Sequence, residues 1–104
     1  MKIGLVTITF NSAAVLPDFL DSVAKQTYQN FCLYIVDNAS SDTTLLEYQA
    51  RKKENYQLIQ NIDNLGVAAG NNQGIIKALS EDCDFVLLIN NDTVFEEKLL
   101  QKLI

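Results

Sequence analysis

The stretch FVLLINNDTVF, residues 85–95, indicates both the fold and the position of a site. Its first six residues carry no charge and are typical of a strand that is buried on both faces. The polar cluster that follows contains one carboxylate, Asp92, among amides. A lone carboxylate directly after a buried strand suggests a ligand that requires a negative charge at that point.

Three more apolar runs show the same pattern, at residues 3–9, 31–36 and 56–60. Their β-branched and aromatic residues predict strands, and residues 85–89 make a fourth. Segments with helical periodicity separate the four runs. Strands that alternate with helices predict an α/β fold, with a Rossmann-like parallel sheet and helices on both faces, joined by right-handed crossovers.

Four helices are predicted. Asn11 or Ser12 is expected to cap the first, and Thr44 with Glu47 to form a capping box on the second. The residues expected to face inward are Leu16, Phe19, Leu20 and Val23 in the first helix, Leu45, Leu46 and Tyr48 in the second, and Ile75, Ile76 and Leu79 in a third that spans residues 67–80. A fourth helix is expected to begin near Glu96.

Length and charge limit the classes of function. With 104 residues and 48% hydrophobic content, residues 1–104 are expected to form a single domain. The net charge of −5 argues against a surface for nucleic acid or anionic membrane. No apolar run approaches the ~18 residues of a membrane span, and residues 1–10 do not resemble a signal peptide. A cytoplasmic location is therefore expected, with membrane association open for a full-length protein.

The two cysteines, Cys32 and Cys83, lie in or beside apolar strands, and the chain has no histidine. This pattern favours buried thiols over a disulfide framework or a zinc site. The basic cluster of residues 51–53 is interpreted as a solvated helix end.

Six of the ten asparagines fall at the ends of the predicted strands, namely Asn11, Asn38, Asn61, Asn64, Asn90 and Asn91. Turns and helix caps use the same residue types, which accounts for part of this clustering. Asp37 and Asp92, however, lie directly at the ends of apolar strands. Because ligands bind beyond the carboxyl ends of the strands in an open parallel sheet, these positions favour a binding site.

A nucleotide with a divalent cation suits such an edge. One carboxylate, that of Asp92, suffices for Mg²⁺ or Mn²⁺ when a diphosphate and water complete the ligand set. Asparagine amides suit base edges and sugar hydroxyls. Gly66 and Gly70, before and at the start of the third helix, would let the backbone approach the ligand, whereas Gly74 favours close helix packing.

The sequence resembles the family 2 inverting glycosyltransferases of the A-type fold, particularly the rhamnosyltransferase-like members. The resemblance covers essentially the whole chain and is carried by VTITFN (6–11), IVDNASSDTT (35–44), NLGVAAGNNQG (64–74) and LLINNDT (87–93). It implies transfer of a sugar, with inversion, from a nucleotide-diphosphate donor of the UDP or dTDP type. A glycan or lipid-linked glycan acceptor and a role in polysaccharide biosynthesis are implied as well.

The resemblance also implies residue roles. Asp92 is similar to the metal ligand of the D-x-D region, with Asn90 at the ribose, and Asp37 is similar to the carboxylate that binds the pyrimidine. The implied nucleotide-binding set is Thr9, Asn11, Asp37, Asn38, Gly66, Gly70, Asn71, Asn72, Asn90 and Asn91. Asn71 stands where many relatives have arginine, so a fixed cation near the phosphates is missing.

The general base of such enzymes lies beyond the D-x-D region, and no residue here is assigned to it. We therefore expect residues 1–104 to be a truncated donor-binding half that is inactive alone, and to self-associate through the apolar helix at residues 99–104. A phosphoacceptor receiver domain, a nucleotidyltransferase and a non-catalytic interaction module stay open as alternatives. The receiver class needs an acidic pair after the first strand, where Phe10 and Asn11 stand. The nucleotidyltransferase class needs a glycine-rich basic loop there.

Overall fold

The computed structural model describes residues 1–104, which alternate between strands and helices as predicted. The elements are β1 (Ile3–Thr9), α1 (Leu16–Ala24), β2 (Phe31–Asn38), α2 (Thr44–Arg51), β3 (Tyr56–Asn61), α3 (Val67–Ser80), β4 (Phe85–Leu88) and α4 (Leu99–Leu103). The α/β class is therefore confirmed. None of the four helices has the length and apolar character needed to cross a bilayer.

The four strands form one parallel sheet in the order β3-β2-β1-β4. The chain proceeds from β1 outward to β2 and β3, and then returns to the other side of β1 to form β4. Strand order therefore reverses at β1, and the crevice between the carboxyl ends of β1 and β4 is the switch point at which ligands bind in such sheets. The fold alone therefore predicts a ligand site in that crevice.

The sheet is covered on both faces. The larger core cluster packs α1, α2 and α4 against one face, through the fully buried Phe19 and Leu100 among others. The smaller cluster lies under α3 on the opposite face and contains Val6, Tyr34 and Ala78. Placing α1 and α2 on one face and α3 on the other is what right-handed crossovers require when the strand order reverses. The Rossmann-like architecture is confirmed.

Helix α3 packs on the sheet through small residues, and the prediction that Ile76 and Leu79 point inward is wrong. The buried residues are Gly70, Gly74 and Ala78, whereas Ile76 is 67% and Leu79 57% exposed. The helix lies so close to β1 that large side chains do not fit between them. Hydrophobicity alone does not reveal this close approach, because it assigns the bulkiest residues to the interior.

Strand β4 is an edge strand and is only partly buried, so the prediction of a fully buried strand is wrong. It pairs with β1 alone, and Phe85 and Leu88 are 46% and 47% exposed. Its apolar composition reflects packing on both faces of the sheet, because Leu87 contacts the larger core cluster and Val86 the smaller one. The strand ends at Leu88, and Ile89 makes one further backbone hydrogen bond to β1.

The predicted caps of α1 and α2 do not form. Val15 is the N-cap of α1, and the carbonyl of Ser12, not a side chain of Asn11 or Ser12, accepts backbone N–H groups there. Thr44 is the first residue of α2, and its hydroxyl donates to Asp42 instead of capping the helix. The side chains of Asn11 and Thr44 instead accept hydrogen bonds between the loops after β1 and β2. Local sequence patterns do not reveal such partners.

Helix α4 begins at Leu99, later than the predicted Glu96. Part of the helix packs against the rest of the protein, because Leu100 is fully buried and its N–H donates to Oε1 of Gln26. Leu103 and Ile104 are each 53% exposed. Self-association through this helix stays a prediction.

The close packing of α3 on β1 can be tested with two glycines. A Cβ at Gly74 would lie 2.3 Å from Cγ1 of Val6, whereas a Cβ at Gly70 would lie 2.9 Å from the terminal Cδ1 of Ile8. Alanine favours a helix to the same degree at both positions, so the difference isolates packing. We expect Gly74→Ala to lower the free energy of unfolding by about 2 kcal/mol, and Gly70→Ala to cost less because the end of Ile8 can move. Urea unfolding measures both, and equal stability of the two variants would contradict the packing described here.

Candidate functional site

A cavity of about 490 Å³ opens between the carboxyl ends of β1 and β4, at the switch point of the sheet. Four residues of the predicted site line it: Asn71, Asn90, Asn91 and Asp92. They come from the first turns of α3 and from the turn after β4. The tertiary structure therefore brings together two stretches that are about twenty residues apart in the chain.

Asp92 and Asn90 are free to bind a ligand. Both are exposed, and neither side chain makes a hydrogen bond or an ion pair within the protein. The hydroxyl of Thr93 donates to the carbonyl of Asn90 at 2.6 Å and so stabilises the turn that carries them. A carboxylate and an amide thus face the cavity from a turn of defined shape.

Asp37 lies deeper and is only 1% exposed. Its Oδ1 accepts hydrogen bonds from the hydroxyls of Thr9 and Ser40, both at 2.6 Å, and its Oδ2 accepts one from the backbone N–H of Ser40 at 3.0 Å. A carboxylate has about four acceptor positions, so one position on Oδ2 has no partner within the protein. Thr9 and Asp37, which the sequence assigned to the site, are therefore in direct contact with each other. Neither Asp37 nor Thr9 lines the cavity itself.

Asn11 joins two loops and does not line the cavity. Its backbone has a φ of 50°, in the left-handed region that asparagine tolerates better than most residues. Its Oδ1 accepts from the N–H groups of Ser41 at 2.8 Å and Asp42 at 3.3 Å, and its own N–H donates to the hydroxyl of Ser40 at 2.9 Å. The loops after β1 and β2 are thereby fixed to each other.

Asp42 belongs to the same pair of loops. The hydroxyl of Thr44 is the largest influence on its carboxyl group and holds the pKa below the ordinary value, and the backbone N–H groups of Thr44 and Ala13 act in the same direction. These hydrogen bonds hold the start of α1 against the start of α2.

Asn38 is also used within the protein. It is 1% exposed, its Nδ2 donates to the carbonyl of Gly66 at 3.0 Å, and its Oδ1 accepts from Nδ2 of Asn61 at 2.9 Å. Asn61 in turn exchanges two hydrogen bonds with Gln73. This chain of amides fixes the start of α3 to the ends of β2 and β3, so Asn38 positions the helix and is not open to a ligand.

The remaining predicted residues lie around the start of α3. Gly66 is the N-cap, with a φ of 86° that strongly favours glycine, and no side chain caps the N–H groups that follow it. Gly70 is buried against Ile8, where it serves packing, and Asn72 is exposed but does not line the cavity. The uncapped start of α3 leaves N–H groups that favour an anion.

Sequence reasoning missed six residues of the cavity lining: Ile8, Phe10, Ser12, Val67, Leu88 and Ile89. Phe10 is 49% and Val67 67% exposed, so two apolar side chains stand at the cavity instead of in the core. A signal for Phe10 was present, because it lies between Thr9 and Asn11 in the first strand-end cluster. An aromatic ring beside polar groups suits a planar ligand.

The structure contains no group of three or more His, Cys, Asp or Glu side chains that could hold a metal ion. The single carboxylate at the cavity, that of Asp92, fits a cation which takes its other oxygen ligands from phosphate and water. This donor set agrees with Mg²⁺ or Mn²⁺ in a shared site and not with a closed protein cage.

Two curated relatives match nearly the whole chain. The O-antigen chain rhamnosyltransferase RfbN of Salmonella typhimurium is 27% identical over 97 residues, which are 93% of this chain and 30% of the relative. The putative glycosyltransferase EpsE of Bacillus subtilis is 28% identical over 104 residues, which are 97% of this chain and 36% of the relative. The chain thus spans about a third of the length of these relatives.

The fold is that of a solved structure of S. aureus TarS, residues 1–349, in complex with UDP-GlcNAc. The two superpose with a TM-score of 0.87 at 28% identity over 99% of this chain and 30% of the other. The model of the family described as "Glycosyl transferase family 2" matches residues 5–104. With nearly every residue covered, the chain belongs to glycosyl transferase family 2.

Proposed function

We propose that this chain binds the donor of a metal-dependent, inverting glycosyl transfer, a sugar carried on a nucleoside diphosphate of the UDP or dTDP type. The observation that carries this proposal is the free carboxylate of Asp92 at the switch-point cavity, which the exposed ring of Phe10 also lines. In a nucleotide site, a carboxylate would hold the metal-bound diphosphate, and an aromatic ring would stack on the base. Membership of the family and the UDP-GlcNAc complex of TarS support it.

The base is recognised by stacking and by one hydrogen bond. Phe10 is half-exposed at the cavity and supplies a face on which a base stacks. Asp37 has one acceptor position left on Oδ2, which suits the ring N–H of uracil or thymine. Its partners Thr9 and Ser40 fix the orientation of the carboxylate. Asn90, whose side chain is free, serves the ribose hydroxyls.

The diphosphate lies between Asp92 and the start of α3. A divalent cation on Asp92 would neutralise the phosphates and stabilise the leaving nucleotide as the bond to the sugar breaks. The backbone N–H groups after Gly66 favour the same anion, and the neutral Asn71 adds hydrogen bonds but no charge. The chain itself therefore binds and orients the donor.

Transfer requires a base to deprotonate the acceptor hydroxyl for in-line attack at the anomeric carbon. Asp92 is committed to the cation, and Asp37 and Asp42 are held by hydrogen bonds within the protein. We therefore assign no general base to residues 1–104 and expect a glycan or lipid-linked glycan acceptor to bind elsewhere in a longer enzyme.

A receiver domain is disfavoured because its phosphorylatable acidic pair would stand after β1, at Phe10 and Asn11. A nucleotidyltransferase is disfavoured because no glycine-rich basic loop follows β1.

The first test is calorimetric titration of UDP and dTDP with and without Mn²⁺. We expect Mn²⁺ to raise the affinity of the wild-type chain, and Asp92→Ala to remove that gain because the only free carboxylate at the cavity is lost. Asp18→Ala is the matched control, since Asp18 is an exposed carboxylate on α1. A wild-type chain that is folded but shows no gain from Mn²⁺ would reject the metal site.

The second test removes the ring of Phe10. Stacking of a base on an aromatic side chain contributes about 1–3 kcal/mol, so Phe10→Ala should weaken UDP binding roughly tenfold. Phe85→Ala is the control, because Phe85 is exposed to a similar degree, 46% against 49%, but lies at the amino end of β4. Equal UDP affinity in the two variants would rule out stacking on Phe10.

The third test concerns turnover. The purified chain, incubated with UDP-sugar donors, Mn²⁺ and glycan acceptors, should release no UDP above the rate without acceptor. A coupled assay for UDP measures this, and acceptor-dependent release would show that a base is present within residues 1–104.

A further inference from the structure

The side chain of Asn91 replaces a backbone group in the pairing of β4 with β1. The N–H of Ile89 donates to the carbonyl of Val6 at 2.9 Å, as in a parallel ladder. Since such bonds recur every two residues, the next would join the N–H of Asn91 to the carbonyl of Ile8. Instead, Nδ2 of Asn91 donates to that carbonyl at 2.5 Å. The amide side chain thus extends the ladder by one bond after the strand has ended at Leu88.

This replacement releases the backbone to turn. Because the side chain satisfies Ile8, the backbone of residues 90–92 does not have to continue along β1, and it bends so that Asp92 lines the cavity. The second hydrogen on Nδ2 of Asn91 is directed at Oγ1 of Thr7, 3.2 Å away. Both donor positions of the amide are therefore used on β1, and neither is left for a ligand.

We infer that Asn91 is a positioning residue, which holds Asp92 where it can bind a divalent cation shared with the donor diphosphate. The inference rests on the proposed function. It separates Asn91 from its neighbour Asn90, whose side chain makes no bond within the protein. The two amides next to Asp92 thus have different roles, one toward the sheet and one toward the ligand.

Aspartate is the informative replacement at both positions, because it has the shape of asparagine but no N–H donor. If only charge mattered, a second carboxylate beside Asp92 would attract the cation more strongly at either position. If Asn91 positions Asp92, Asn91→Asp places a carboxylate oxygen against the carbonyl of Ile8 and displaces the turn. Asn90→Asp adds the same charge one residue away and leaves the ladder intact.

The experiment is a titration of UDP with and without Mn²⁺ on the wild-type chain, Asn91→Asp and Asn90→Asp. The quantity compared is the ratio of the two affinities, which reports the cation alone. We expect this ratio to fall at least tenfold in Asn91→Asp and to rise in Asn90→Asp, where the added carboxylate lies near Asp92 and the ladder is undisturbed. The electron paramagnetic resonance signal of Mn²⁺ in the presence of UDP gives an independent count of bound cation.

Thermal unfolding shows whether each variant is folded. Asn91→Ala, which removes both donors without adding charge, replaces Asn91→Asp if the latter does not fold, and the same fall in the ratio is expected. A ratio in either Asn91 variant equal to or above that of the wild type overturns the inference while leaving the nucleotide site intact. A wild-type chain without any gain from Mn²⁺ overturns the metal site, and the inference with it.

Discussion

Strand β1 pairs with a neighbouring strand on each side, and the two pairings differ in length. Its pairing with β2 runs from Ile3 to Thr9, whereas its pairing with β4 runs only from Ile3 to Val6. The last part of β1 therefore has a neighbour on one side and an opening on the other. The cavity lies at this opening, and the reversal of strand order at β1 is the reason that it exists.

The asparagines around the opening divide into two groups by the use of their side chains. Asn11, Asn38, Asn61 and Asn91 bind other loops and strands of the protein. Asn71 and Asn90 face the cavity. An amide can donate and accept at once, so it can satisfy a backbone carbonyl and a backbone N–H without bringing a charge near a diphosphate. Asparagine therefore both fixes the loops around the cavity and lines the cavity.

The carboxylates show a corresponding division. Asp37 and Asp42 are held by hydroxyl and N–H donors of neighbouring loops, and Asp92 is free at the cavity. Donors around a carboxylate stabilise its ionised form and fix its orientation, as at Asp42, where Thr44 holds the pKa down. A carboxylate without such partners keeps its oxygens available for a cation. The distribution of donors, not the position in the sequence, decides which acid is free to bind a cation.

The sequence by itself determined the α/β class, the strand and helix alternation, and the placement of Asp37 at the end of β2 and of Asp92 shortly after β4. Periodicity and residue type are local properties that a chain carries before it folds. The sequence did not reveal that α3 packs through Gly74 instead of Leu79, nor that Phe10 stands at the cavity. Only the tertiary structure decided those features and the separate roles of Asn90 and Asn91. The reason is that they depend on partners far away in the chain: the amide of Asn91 bonds to Ile8, and the space beside Gly74 is filled by Val6.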